Sequence, residues 1–118
     1  MLLEDENKVL RLSPRLGGGV VSFRWRGREI FHVRPEAPGP LALGCFPLSP
    51  FSGRIADGRF STQDYNVLLR PNHPSDPTHE HALHGFDWLS SFQIVEAAAT
   101  RALLRREHEE EEWPWTYS

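Results

Sequence analysis

Val20-Val21-Ser22-Phe23-Arg24-Trp25-Arg26-Gly27 sets apolar Val21, Phe23 and Trp25 against polar Ser22, Arg24 and Arg26. Successive side chains of a strand point to opposite faces, so this period of two predicts a half-buried strand over Val20–Arg26. Gly27 ends it, and Glu29–Val33 reads as its antiparallel partner, making Val20–Val33 a hairpin. On the N-terminal side, Gly17-Gly18-Gly19 is a flexible turn; it is not a phosphate loop, because no Lys-Ser/Thr pair follows. Lys8–Ser13 is a further short strand, closed by Pro14.

On the C-terminal side, Pro35–Pro40 is a proline-rich loop and Leu41–Phe46 is an apolar run expected to be buried. Asp57-Gly58 is a turn dipeptide, after which Arg59–Ser61 and Tyr65–Leu69 read as a second hairpin, Arg59–Leu69. Pro71–His81 is polar and proline-containing, an expected exposed loop. Ten prolines and nine glycines cut the chain into pieces that suit strands better than long helices. The last third pulls both ways. Glu96–Glu112, rich in Ala, Leu, Arg and Glu, is helical by propensity alone. Phe92–Val95 is strand-like, and Ala97–Thr100 could turn between two strands. Glu109–Glu112 reads as a solvated acidic turn or edge.

A chain of 118 residues is enough for one small domain, and no internal repeat divides it. Thirteen Lys+Arg against sixteen Asp+Glu give a net charge of −3, with the basic residues dispersed. Nucleic acid is therefore excluded as the main partner, since phosphate binding needs a basic patch. Cys45 is the sole cysteine, so no intrachain disulfide can form; this fits a reducing, cytoplasmic compartment. Met1–Lys8 is acidic and lacks the apolar run of a signal peptide, and no stretch is apolar enough to cross a membrane.

Two chemistries are weakly supported. His79, His81 and His84 cluster around Glu80, but the H-E-x-x-H zinc pattern needs its second histidine where Leu83 stands. For His32, His73 and His108 the plain structural role is expected. No G-x-S-x-G elbow surrounds Ser52, and Cys45 in its apolar run is expected to be a buried, inert thiol.

Two segments carry more. Cys45-Phe46-Pro47-Leu48-Ser49-Pro50-Phe51-Ser52-Gly53-Arg54-Ile55-Ala56-Asp57-Gly58-Arg59-Phe60 and His81-Ala82-Leu83-His84-Gly85-Phe86-Asp87-Trp88 resemble, in order and separation, two motifs of the aldose 1-epimerase (galactose mutarotase) family: Pro-x-x-Asn-Arg-Ile and Leu-His-Gly. Asn72-His73-Pro74 falls between them as in the family, and Trp113-Pro114-Trp115 resembles its Trp/Tyr-Pro-Trp stretch. The resemblance covers about Gly17 to Ser118. It implies an all-β fold, an antiparallel β-sandwich of which this chain is the N-terminal part, truncated within one domain spanning residues 1–118. It therefore replaces the helix over Glu96–Glu112 by two antiparallel strands, Phe92–Ala97 and Arg101–Glu107.

The resemblance also implies the site. The family's arginine, which contacts sugar hydroxyls, falls on Arg54. Its histidine, at the sugar's ring oxygen and anomeric region, falls on His84. The asparagine before the arginine is replaced by Gly53. Mutarotation opens a cyclic hemiacetal and recloses it on the other face: a base takes the anomeric proton and a donor serves the ring oxygen. Histidine suits the donor role and arginine's planar fork suits vicinal hydroxyls. Phe51 or Trp88 could stack on a sugar face, with core packing as the plainer alternative.

The family's second histidine and its glutamate base have no counterpart before Ser118, so the chain is expected to be catalytically incomplete. The partner implied is a free aldose, with no cofactor and no metal, and half a sandwich leaves sheet edges open for a homodimer. A non-catalytic carbohydrate-binding β-domain, and a metal module using His79, His81 and His84, remain the competing readings.

Overall fold

The computed structural model describes residues 1–34, 39–108 and 111–117. All its regular structure is β, apart from three single 3-10 turns at Gly39–Ala42, Ala56–Gly58 and Asp87–Leu89. Four strands form one antiparallel sheet in the order β1-β2-β3-β4: β1 is Leu2–Glu4, β2 Lys8–Ser13, β3 Gly19–Trp25 and β4 Arg28–Glu29. Three antiparallel pairs follow. β5 (Arg54–Ile55) pairs with β8 (Ala82–Leu83), β6 (Arg59–Ser61) with β7 (Asn66–Leu68), and β9 (Gln93–Ala97) with β10 (Ala102–Arg105).

The first hairpin turns on Arg26 and Gly27, both at positive φ (+49° and +77°). Two left-handed residues make the tight turn that matches the twist of flanking strands. Its second arm is shorter than Glu29–Val33, for only Arg28–Glu29 is regular strand, although Ile30 still donates its N–H to Phe23 O. The apolar face of β3 is less covered than its alternation predicts: Phe23 is half-buried, but Val21 and Trp25 are exposed. The second hairpin bends at Thr62–Tyr65, where Thr62 Oγ1 accepts the N–H groups of Asp64 and Tyr65. Asp57-Gly58 turns the chain one step earlier, between β5 and β6.

The propensity for helix over Glu96–Glu112 is overridden. Ala102 pairs with Ala97 and Leu104 with Ile94 across a hairpin, as the family resemblance implies. Residues 109 and 110 of the acidic run lie outside the described residues. Leu41–Phe46 is less buried than its apolar sequence predicts. Leu41 to Leu43 are half-buried, the chain coils into the 3-10 turn Gly39–Ala42, and Cys45 is exposed.

The core is thin. Val67, Leu69 and Ala82 form its centre, with Phe51, Ile55, Phe60, Phe86, Trp113 and Trp115 packed against them. Trp113 and Trp115 meet edge to face at 4.9 Å between ring centres, so the Trp-Pro-Trp stretch closes over β6 and β7. Such ring pairs add about 0.5–1.5 kcal/mol each beyond the area they bury. The radius of gyration is 16.2 Å, against roughly 13–14 Å for a self-contained domain of this length. Ile94, Val95, Leu103 and Leu68 remain exposed on the resulting slab.

Candidate functional site: Arg54 and the His84 turn

β5 and β8 bring the two motif segments together, with Arg54 opposite Leu83 in register. Beyond the strand pair the contact continues. His84 donates its backbone N–H to Gly53 O (2.9 Å), and Gly53 donates its own to the His84 Nδ1 (3.0 Å). An imidazole nitrogen that accepts an N–H carries no proton, so the neutral ring bears its hydrogen on Nε2. His84 is thus set as an Nε2–H donor.

Its protonation follows from its surroundings. Partial burial, and then the nearby Arg54 guanidinium, hold the His84 pKa below the ordinary imidazole value. Both causes disfavour the cation, so the ring is neutral at neutral pH. Arg54 is exposed and makes no ion pair among the described residues. A free guanidinium fork and a neutral N–H donor therefore stand side by side on an open surface.

The turn that carries His84 is strained and tightly held. His84 lies at φ +56° and Gly85 at +70°. A side-chain-bearing residue in the left-handed region costs on the order of 1–2 kcal/mol. Gly85 has no alternative, because a Cβ there would overlap the carbonyl oxygen of Ser49. Ser49 O also accepts the N–H groups of Phe86 and Asp87, which joins the two motif segments a second time.

Trp88 is fully buried beneath this turn, with its Nε1–H shared between Leu83 O and Gly85 O, both at 3.1 Å. Its ring stands at right angles to that of His84 and stacks on Phe46. Trp88 is consequently a support under the site, in line with the core packing weighed for it against stacking on a sugar. Phe51 is half-buried against Trp113 and the core. No role for Asn72, for the Gly53 amide or for the Trp88 Nε1–H is legible in the sequence. The Asn72 and Gly53 bonds join positions 11 to 31 residues apart, with no local signal to mark them.

The other histidines group differently from the trio His79, His81 and His84 of the competing metal reading. His73, His79 and His81 form a row with ring centres 5.2 Å apart, while His84 stands apart against Trp88. His73 Nδ1 accepts the N–H groups of Ser75 and Asp76, and His81 Nδ1 accepts that of Asp57. A ring whose Nδ1 accepts in this way carries a proton on Nε2, which leaves that nitrogen no lone pair for a metal. Among the described residues no three His, Cys, Asp or Glu side chains are arranged to hold a metal ion.

The aldose 1-epimerase family pattern matches residues 1–118. The chain belongs to the aldose 1-epimerase family. It is 35% identical over 101 residues to the uncharacterized protein YphB of Escherichia coli K12, a match covering 84% of this chain and 33% of that one. Its fold is similar to a crystal structure from Escherichia coli K12, of a protein assigned to the aldose 1-epimerases by name. The TM-score is 0.81 at 28% identity, over 92% of this chain and 36% of that one. The chain thus spans about a third of the length of these relatives. The all-β antiparallel architecture is that of the aldose 1-epimerases. Among the described residues no helix is long and apolar enough to cross a membrane.

Proposed function

We propose that this aldose 1-epimerase-family chain supplies the arginine and ring-oxygen donor of a sugar site that interconverts the α and β anomers of a free aldose. Arg54 holds vicinal hydroxyls. The Nε2–H of His84 donates to the ring oxygen, which gains electron density as its bond to the anomeric carbon breaks. A base on the other side of the sugar takes the anomeric hydroxyl proton, giving the open aldehyde. Rotation about the neighbouring carbon–carbon bond and reclosure return the proton and yield the other anomer. No metal or cofactor enters this reading.

The observation that carries the reading is the neutral His84 donor, locked by the Gly53 amide beside an unpaired Arg54. With its pKa below that of a free imidazole, His84 works here as a hydrogen-bond donor that stabilises the developing oxyanion. The base is not supplied by the nearby acids. Asp87 is tied to Arg106 and Tyr117, and Asp57 lies 3.8 Å from the His81 ring. We therefore read the 118 residues as the donor side of the site, without its base. The exposed Ile94, Val95 and Leu103 of β9 and β10 suit surfaces that further protein, or a second copy of the chain, covers. A cytoplasmic location belongs to the same reading, supported by the single exposed thiol of Cys45.

Polarimetric decay of α-glucose and α-galactose, with the purified chain against buffer and against His84→Ala, tests it. The chain is expected to bind sugar weakly and to accelerate mutarotation little, since losing one member of an acid–base pair forfeits about 10²–10⁴-fold. A strong acceleration dependent on His84 would place the base within this chain after all. Binding with no acceleration, even when the rest of the domain is supplied, would favour a carbohydrate-binding module, a role that Arg54 and a neutral donor can fill without a base.

A further inference from the structure

The histidine that the proposed function depends on sits in a backbone conformation it would not choose for itself. Asn72 touches both of its neighbours. The Asn72 Oδ1 accepts the N–H of Leu83 (2.7 Å), while its Nδ2 donates to Leu83 O (2.8 Å) and to Gly85 O (2.9 Å). The orientation of the amide is unambiguous, because only the oxygen can accept the Leu83 N–H. The three bonds straddle His84. They close on the two carbonyls that also receive the Trp88 Nε1–H, so each carbonyl is held by two donors. Trp88 approaches from the chain just after the turn and Asn72 from the Pro71–His81 loop.

We propose that Asn72 is the positioning residue of His84. Its side-chain amide clips the Leu83-His84-Gly85 turn into its left-handed form, so that Nδ1 faces the Gly53 amide and the Nε2–H donor faces the sugar site. Nothing in the pattern of bonds requires Asn72 to touch a sugar. The role rests on the proposed function only for what the donor is aimed at; the clip itself is independent of any ligand. A carboxylate in its place keeps the acceptor for Leu83 N–H but sets a second acceptor against two carbonyl oxygens, so Asn72→Asp opens the clip while nearly preserving shape.

Nitrogen-15 NMR of the chain tests the proposal without a sugar. In the wild type, through-hydrogen-bond couplings are expected from Asn72 Nδ2 to the Leu83 and Gly85 carbonyl carbons, and between Gly53 N and His84 Nδ1. In Asn72→Asp and Asn72→Ser the β2–β3 amide resonances should stay in place. The Gly53–His84 coupling should vanish, and the His84 titration should move up toward the ordinary imidazole value. Folded variants with an unchanged His84 coupling and titration would overturn the proposal, as would missing Asn72 couplings in the wild type. Should neither variant fold, warming the wild type decides: the Asn72 and His84 couplings should be lost together, below global unfolding. A His84 bond that outlives the Asn72 bonds would reject the clip. Titration with galactose separates the two ideas. Where galactose perturbs wild-type His84, the folded variants should bind it roughly tenfold or more weakly, the scale on which a misaimed group loses effect. If galactose leaves wild-type His84 unmoved, the sugar reading fails and the clip stands or falls on the couplings alone.

Discussion

The Asp87 carboxylate and the Arg106 guanidinium meet at 2.6 Å, nineteen residues apart and both largely removed from solvent. Tyr117 donates its hydroxyl to the same carboxylate oxygen at 3.1 Å. Burial first, and then the Asp87 charge, push the Tyr117 pKa well above its ordinary value, which keeps the phenol a donor. This network joins the 3-10 turn behind His84 to the chain just after β10 and to the C-terminal stretch. Removing Arg106 takes the counter-ion from the buried Asp87 carboxylate, and removing Asp87 takes the shared acceptor from Arg106 and Tyr117; breaking a buried pair typically costs about 3–5 kcal/mol. Arg106→Leu and Asp87→Ala are each expected to lower stability on that scale in urea unfolding, and Tyr117→Phe by about 1 kcal/mol. Losses below about 1 kcal/mol for both charge-removing variants would mean the pair is no anchor.

His84 can be separated into a backbone and a side chain. At φ +56° a glycine relieves strain that an alanine keeps. His84→Gly is expected to be more stable than His84→Ala by about 1 kcal/mol. Both should lose the donor equally, with a rate loss of about 10²-fold or more wherever the complete site is present. Equal stabilities would show that the turn relaxes in solution; full activity in either variant would remove His84 from the chemistry.

Gly53 and Gly85 flank the same site and should respond in opposite ways. Both lie at positive φ, but a Cβ on Gly53 meets nothing within 4 Å, whereas one on Gly85 runs into Ser49 backbone. Gly53→Ala is expected to cost about 1 kcal/mol from φ alone, and Gly53→Asn less, since asparagine tolerates the left-handed region. Gly85→Ala should cost several times as much, because backbone on both sides must move. Thermal unfolding of the three variants ranks them, and a Gly85→Ala chain as stable as Gly53→Ala would disprove the close approach.

The pH response has a determined sign. His84 and His79 both have folded pKa values below their ordinary value, in each case chiefly by desolvation. The unfolded chain therefore binds more protons in the window from about pH 6.5 down to the folded values. Stability contributed by these two groups is present in full above about pH 6.5 and is lost as pH falls through that window. Asp76 and Asp5 are shifted below the usual carboxylate value by hydrogen bonds, so their contribution is lost only as pH falls below about 4. Urea midpoints between pH 5 and 8 should fall on the acid side. A midpoint that rises on acidification from pH 7 to 5.5 would contradict the neutral His84 donor.

The sequence alone determined the family and the strands β2, β3, β6 and β7, whereas β1, β5 and β8 were not legible in it. Alternation in Val20–Arg26, the turn at Gly27 and the ordered motifs around Arg54 and His84 are local signals, and each maps to an element or a loop of the structure. Glu96–Glu112 was legible only through the family resemblance, because helix propensity is a weak preference that the pairing of β9 with β10 overrides. The tertiary structure alone decided which nitrogen of His84 holds its proton, that Trp88 lies beneath the site, and that Cys45 is exposed. It also decided that Asn72 brackets the His84 turn, and that the histidine row runs through His73, leaving out His84. The reason is physical: a hydrogen bond between Gly53 and His84, or between Asn72 and Leu83, depends on how separate stretches of chain are brought together. A one-dimensional pattern records which groups can donate or accept and leaves open which of them will meet.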